Sequence, residues 1–265
     1  MTRPPTALTI AGSDSGGGAG LQADLKTFLA AGVHGMSAVT AVTVQNSMGV
    51  SGIHAIPANV VAEQIVAVAT DIGVDAAKTG MLANADIIAA VVDALGGVDV
   101  GPLVVDPVCA SQHGDPLLAP DAIGALTSLL FPLAELVTPN LGEVRVLTGM
   151  SVQDVAGMRE AARRLHALGP RWVLVKGGHL SGSVAVDVLY DGTDFRELTV
   201  PRRATPHTHG TGDTLAAATT AALARGSSLV DAVERGKEFV TSAIDDSFAL
   251  GSGLGPVGHF WRVRD

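Results

Sequence analysis

The 265 residues carry a formal net charge of −9, with 47% hydrophobic and 16% charged side chains, a balance that excludes a disordered chain and supplies a large core. An acidic chain without a basic stripe is a poor ligand for nucleic acid or an anionic membrane, because Lys and Arg supply most of that affinity. Apolar runs stop short of the ~18 residues that a bilayer span requires.

Aromatic residues make up only 3% of the chain while glycine fills 32 positions, so packing falls to Ala, Val, Leu and Ile, side chains suited to helix-on-sheet contact. The single cysteine, Cys109, excludes an intramolecular disulfide framework and a CxxC site, which leaves it a small, buried apolar role in a reducing compartment. No secretory leader pattern opens the chain, and a cytoplasmic location is expected.

Short β-rich runs alternate with longer helical runs, the pattern of βα units around a mainly parallel sheet. Residues 6–11 read as strand, 21–31 as helix, 38–44 as strand, and 57–72 as a helix with Pro57 near its first turn. Strand 75–81, helix 85–95, strand 103–106, helix 121–130 and strand 135–138 follow. Helices 142–147 and 154–168 lead into strand 172–176. Residues 183–190 and 195–200, split by Asp191-Gly192, read as a hairpin on an antiparallel edge. Helices 214–225 and 229–246 close the pattern. With no linker or repeat, one α/β domain over 1–265 is expected, its ligands beyond the carboxyl ends of the strands.

The polar segments fall at those strand ends. Gly12-Ser-Asp-Ser-Gly-Gly-Gly-Ala-Gly20 opens the first helix, and its glycines either form an anion-binding nest or simply turn the chain. It is neither GxGxxG nor GxxxxGK[ST], so dinucleotide and P-loop fingerprints are missing. His207-Thr-His-Gly-Thr-Gly-Asp-Thr214 is more specific, because Gly210, Thr211 and Gly212 precede an Ala-rich helix and aim amide donors and the positive helix end at one point.

Asp213 in that first turn serves as proton acceptor for an attacking hydroxyl or as a helix cap. His207 and His209, one residue apart and without Cys or carboxylate partners nearby, make a poor zinc site. Asp106 ends a buried strand, and Asn140 and Glu143 open a helix. Glu143 is either a Mg²⁺ ligand beside Asp106 or a capping-box partner. Lys176 offers a cation to phosphate or sits solvated at the surface.

Together these segments resemble the hydroxymethylpyrimidine and phosphomethylpyrimidine kinases of thiamine biosynthesis, a branch of the ribokinase-like superfamily. The residues that carry the likeness are 7–27, Thr40-Ala-Val-Thr-Val-Gln-Asn46, Lys78-Thr-Gly-Met-Leu82, Asp106-Pro-Val108, Gly114-Asp-Pro-Leu-Leu118, Thr138-Pro-Asn140 with Glu143, Lys176-Gly-Gly-His179 and His209-Gly-Thr-Gly212. The resemblance implies a ribokinase-like three-layer α/β/α sandwich with a mainly parallel central sheet and a small antiparallel edge. It also implies a homodimer and MgATP-dependent phosphorylation of 4-amino-5-hydroxymethyl-2-methylpyrimidine, then of its monophosphate.

Pyrimidine contacts carry over to Gly12, Asp24, Val44, Gln45, Met81 and Val108. Asp24 and Gln45 suit the aminopyrimidine edge, Met81 and Val108 its faces; without the resemblance, Asp24 reads as an exposed helix carboxylate. ATP contacts carry over to Asp106, Thr138, Asn140, Glu143 and Lys176, Mg²⁺ to Asp106 and Glu143, and the anion hole to Gly210, Thr211 and Gly212. One departure stands out: many members have Cys after Gly-Thr-Gly, whereas this chain has Asp213, the base of the wider superfamily. Cys109 is no substitute for it. Rival readings are a pyridoxal or pyridoxine kinase, a dinucleotide-dependent oxidoreductase and a non-catalytic precursor binder.

Overall fold

The computed structural model describes residues 3–111, 114–115, 117–178 and 180–262. Pro116 and His179, which belong to two of the motifs above, lie outside the described residues. Strands β1 (Thr6–Ser13), β2 (His34–Asn46), β3 (Gly49–Ala55), β4 (Ala76–Thr79), β5 (Leu103–Val105), β6 (Leu136–Val137), β7 (Trp172–Lys176), β8 (Val184–Tyr190) and β9 (Phe195–Pro201) alternate with helices. Those helices are α1 (Gly20–Ala30), α2 (Ala58–Asp71), α3 (Ala85–Gly97), α4 (Ala122–Ala125), α5 (Leu141–Thr148), α6 (Val155–His166), α7 (Thr211–Ala224) and α8 (Leu229–Asp245).

Among the described residues the strands form one nine-stranded sheet in the order β3-β2-β1-β4-β5-β6-β7-β8-β9. Pairing is parallel from β2 to β7 and antiparallel at both margins, β2 with β3 and β7 through β9. Side-chain alternation decides which residues feed which layer. Ala77, Val105, Val137 and Val175 join the core beneath α2 to α6, while Ala76, Val104, Leu136 and Leu174 join the core beneath α7 and α8. Ala7 of β1 packs with Phe28 of α1 and with Ala217 and Ala221 of α7. The expected three-layer α/β/α arrangement is the one observed.

Two differences bear on the site. Residues 49–55 form a strand that the sequence pattern does not reveal, so the sheet has a second antiparallel margin opposite the predicted β8–β9 hairpin. Helix α7 begins at Thr211, three residues before the predicted start, because Gly210 in the left-handed region (φ 81°) turns the chain straight into it. A side chain at 210 would also press its Cβ to 1.9 Å from the Gly18 carbonyl oxygen, so only glycine fits. The helix predicted over 121–130 is α-helical only to Ala125, then passes through a π turn at Leu126–Leu130 and a 3₁₀ turn at Phe131–Leu133 ahead of β6.

Candidate active site

The carboxyl ends of the parallel strands and the first turn of α7 converge. After β5, Asp106 is buried; its Oδ1 accepts from the Thr138 hydroxyl and from Lys176 Nζ, each at 2.8 Å. Gly212 closes over this cluster: a Cβ built there would lie 3.2 Å from Lys176 Nζ and 3.6 Å from Asp106 Oδ2. Asp213 follows in the same turn, the one acidic residue there. Thr211 spends its amide on the Thr208 carbonyl, whereas the amides of Gly212 and Asp213 in the same first turn have no acceptor within the helix.

Charge and burial set the protonation of this cluster. Burial opposes ionisation of Asp106, but the cations of Lys176 and Lys78 outweigh it and hold the carboxyl below its ordinary range. Burial likewise opposes charge on Lys176, yet Asp106 and Glu143 hold its ammonium more firmly than usual. Asp213 is raised by burial and by the Asp106 charge, against the opposing pull of Lys78, His209 and Lys176. A carboxylate moved upward toward neutral pH is better matched to taking a proton from a hydroxyl.

Asn140 caps α5, accepting from the Glu143 amide at 2.9 Å, while Glu143 Oε2 accepts from the Asn140 amide at 2.7 Å. The capping box read from the sequence is therefore present, and Glu143 Oε1 and Asp106 Oδ2 are the oxygens outside these bonds. Burial and the charges of Asp106 and Asp213 push Glu143 up to about 8, with Lys176 and the Asn140 amide opposing. Two neighbouring carboxylates suit a cation that keeps water and phosphate as its other ligands. Cys109 is half-buried, and burial with the Glu143 and Asp106 charges pushes its thiol up to about 12, which leaves it inert as a nucleophile.

Gly12 at the end of β1 backs onto Met81, whose sulfur lies 2.8 Å from where a Cβ at 12 would stand. Met81 is buried and its carbonyl accepts from the Thr40 hydroxyl. Val108 is half-buried after β5, and Val44 on β2 is 64% exposed. Gln45 is half-buried between Thr43 and His209.

Two expectations need correction. Asp24 is not an exposed helix carboxylate. It is 0% exposed, both of its oxygens lie 2.8 Å from Lys78 Nζ, and one also accepts from Thr9 at 2.6 Å. The glycine loop is no open nest, because the Asp14 carboxylate fills it and accepts from the amides of Gly16, Gly18 and Ala19. Neither Asp14 nor Lys78 stands among the site residues carried over by the resemblance. The signal for the Asp24–Lys78 pair was a carboxylate on the apolar face of α1 and a lysine inside a four-residue buried strand, charges that need each other when neither meets water.

The model of the phosphomethylpyrimidine kinase family matches residues 14–258. A hydroxymethylpyrimidine/phosphomethylpyrimidine kinase of Mycobacterium leprae is 56% identical over 267 residues, 98% of this chain and 96% of that protein. The chain belongs to the phosphomethylpyrimidine kinase family. It is thus a phosphotransferase, and its fold agrees: an ADP complex of Bacillus subtilis pyridoxal kinase superposes with a TM-score of 0.91 at 42% identity, covering 97% of this chain and 98% of that one. A phosphomethylpyrimidine kinase of Clostridium difficile superposes with a TM-score of 0.80, also at 42% identity, covering 90% of this chain and 99% of that one. The ribokinase-like architecture expected from the sequence is the one these kinases share.

Proposed function

We propose that this kinase transfers the γ-phosphoryl group of ATP to the 5-hydroxymethyl oxygen of 4-amino-5-hydroxymethyl-2-methylpyrimidine, and then phosphorylates the monophosphate to the diphosphate, in thiamine biosynthesis. The observation that carries the reading is the convergence of Gly212 and Asp213 on the Lys176–Asp106–Thr138 cluster. In the first step the hydroxymethyl oxygen attacks phosphorus, the bond to the bridging oxygen of ADP breaks, and the hydroxyl proton passes to Asp213. The amides of Gly212 and Asp213 and the Lys176 ammonium face the charge on the transferred group, which is the main task of a phosphoryl-transfer site.

Asp106 Oδ2 and Glu143 Oε1 would hold Mg²⁺, which supplies charge neutralisation for the phosphates. Gly12, Gln45, Met81 and Val108 form the acceptor side, with Val44 at its rim and Asp24 behind it as the partner of Lys78. The whole chain acts as one kinase unit, working in the cytoplasm. A homodimer fits the exposed Val42, Val44 and Ile53 on β2 and β3, and a monomer in light scattering would remove that part.

A pyridoxal kinase is the second reading, favoured by the B. subtilis superposition. The pyrimidine is preferred because 56% identity to the M. leprae kinase spans nearly the whole chain. Mass-resolved products from MgATP with the hydroxymethylpyrimidine, beside a parallel pyridoxal reaction, test this directly. Sequential mono- and diphosphate peaks are expected; phosphorylation of pyridoxal alone would overturn the reading.

A further inference from the structure

Three segments from distant parts of the chain meet at the His209 ring. Its Nε2 lies 3.1 Å from Asp14 Oδ2 and 3.4 Å from Gln45 Nε2. Backbone bonds pin the residue on both sides, His209 N–H to the Gly255 carbonyl and Val257 N–H to the His209 carbonyl. The ring packs so closely that a Cβ at Gly18 would come within 2.5 Å of its Cδ2, and Pro256 closes the same space.

Donor and acceptor counting fixes the network. Asp14 is an acceptor only: burial opposes its ionisation, but hydrogen bonds from His209 and the Gly16 and Ala19 amides outweigh that and hold its carboxyl below the usual range. His209 must therefore donate through Nε2 to Asp14, and a Gln45 N–H₂ facing that donor would be donor against donor. Thr43 raises a matching conflict, since its one hydroxyl proton is offered both to the Ser13 carbonyl at 2.9 Å and to Gln45 Oε1 at 3.1 Å. Turning the Gln45 amide over resolves both conflicts. His209 then gives its one Nε2 proton to Asp14 at 3.1 Å and shares it with the Gln45 carbonyl at 3.4 Å as the weaker arm of a three-centre bond, while Gln45 donates to Thr43 and Thr43 donates to Ser13.

In that orientation Gln45 keeps one N–H and one carbonyl lone pair, side by side, for a ligand. That pair matches a ring nitrogen acceptor next to an exocyclic amine donor, the edge of a 4-aminopyrimidine. A 3-hydroxypyridine such as pyridoxal has no amine beside its ring nitrogen. We propose that His209 is a positioning residue for substrate selection: its hold on Asp14 and Gln45 decides which way round the amide faces, and so favours an aminopyrimidine edge. This rests on the reading that Gln45 meets the pyrimidine.

The test compares kcat/KM for the aminopyrimidine and for its desamino analogue, 5-hydroxymethyl-2-methylpyrimidine, in the unaltered kinase, His209→Ala and His209→Gln. The unaltered kinase is expected to prefer the aminated ring. His209→Ala should reduce that preference by about tenfold or more, the scale of a lost polar recognition element, through kcat/KM for the aminated substrate and with the KM for ATP held within about twofold. His209→Gln places an amide donor at similar reach and should restore most of the preference; it also serves if the alanine variant fails to fold. Equal losses on both pyrimidines, or an undiminished preference in His209→Ala, would overturn the role of His209 alone. If the unaltered kinase does not phosphorylate the aminopyrimidine at all, the proposed function falls and this inference falls with it.

Discussion

As the proposed base, Asp213 would face different demands in the two phosphorylations. A hydroxymethyl group must lose its proton as it attacks, whereas a phosphate monoester, with a second pKa of ~6, is already largely ionised near neutrality. Asp213→Asn is therefore expected to lower kcat for the first step by about 10²–10⁴ and for the second by about tenfold at most. Separate single-step assays on the pyrimidine and its monophosphate measure this, and equal losses would remove Asp213 as the base.

His259 makes a second residue-scale prediction. It is buried with Nε2 2.9 Å from the Thr214 hydroxyl, and burial together with the Lys26 charge pushes its pKa down to about 4. Below the unfolded value of ~6.5 the unfolded chain binds a proton that the folded chain refuses. Stability is thus full above that pH and drains away as pH falls toward 4, by about 2 kcal/mol between pH ~7 and pH ~5. Urea unfolding across that range should show His259→Gln losing less than the unaltered chain. Parallel pH curves would refute the account.

At the scale of elements, β4 and α1 are joined by the Asp24–Lys78 ion pair, both side chains 0% exposed. Burial pushes the Asp24 carboxyl upward and the Lys78 charge opposes it, so neither partner is comfortable alone. Lys78→Met is expected to cost about 3–5 kcal/mol by stranding a buried charge. Adding Asp24→Asn, which keeps an acceptor for Thr9, should recover much of that loss in equilibrium unfolding. Additive losses would mean the pair does not act as a unit.

The same pair shows what sequence reading lacks. Helix α1 and strand β4 were both legible from their apolar pattern, and residue 24 was singled out, but its partner lies across two layers and its role changed with that partner. Strand β3 was illegible for a local reason: Gly49, Gly52 and His54 interrupt its apolar alternation, and it stands only because β2 offers an edge to pair with. Asp106, Thr138, Lys176 and Asp213 were legible because each sits directly at a strand end or helix start. His209 was legible as a motif residue, while its contacts with Asp14 and Gln45 depend on tertiary approach.

For the whole molecule, the sheet order separates two labours. Under the proposed function, Gly12, Gln45 and Met81 place the acceptor side at the ends of β1, β2 and β4, joined by Val108 after β5, while Asp106, Thr138 and Lys176 place the phosphate side at the ends of β5, β6 and β7. Helix α7 packs against β1, β4 and β5 and so spans both. Such a division lets acceptor preference change at Gln45 or Met81 while the phosphate cluster stays intact.

The approach of Gly210 to the Gly18 carbonyl also has a consequence for how the protein comes into being. The two glycines come from opposite parts of the chain, so the first turn of α7 is seated by a long loop closure, the kind of contact that forms slowly. On the ribosome, Ala7 and Phe28 wait without Ala217 and Ala221 until α7 has emerged. Until then the nascent chain bears an uncovered apolar sheet face, a surface that invites aggregation or a chaperone. Recovery of kinase activity on refolding should accordingly coincide with the last burial of that face.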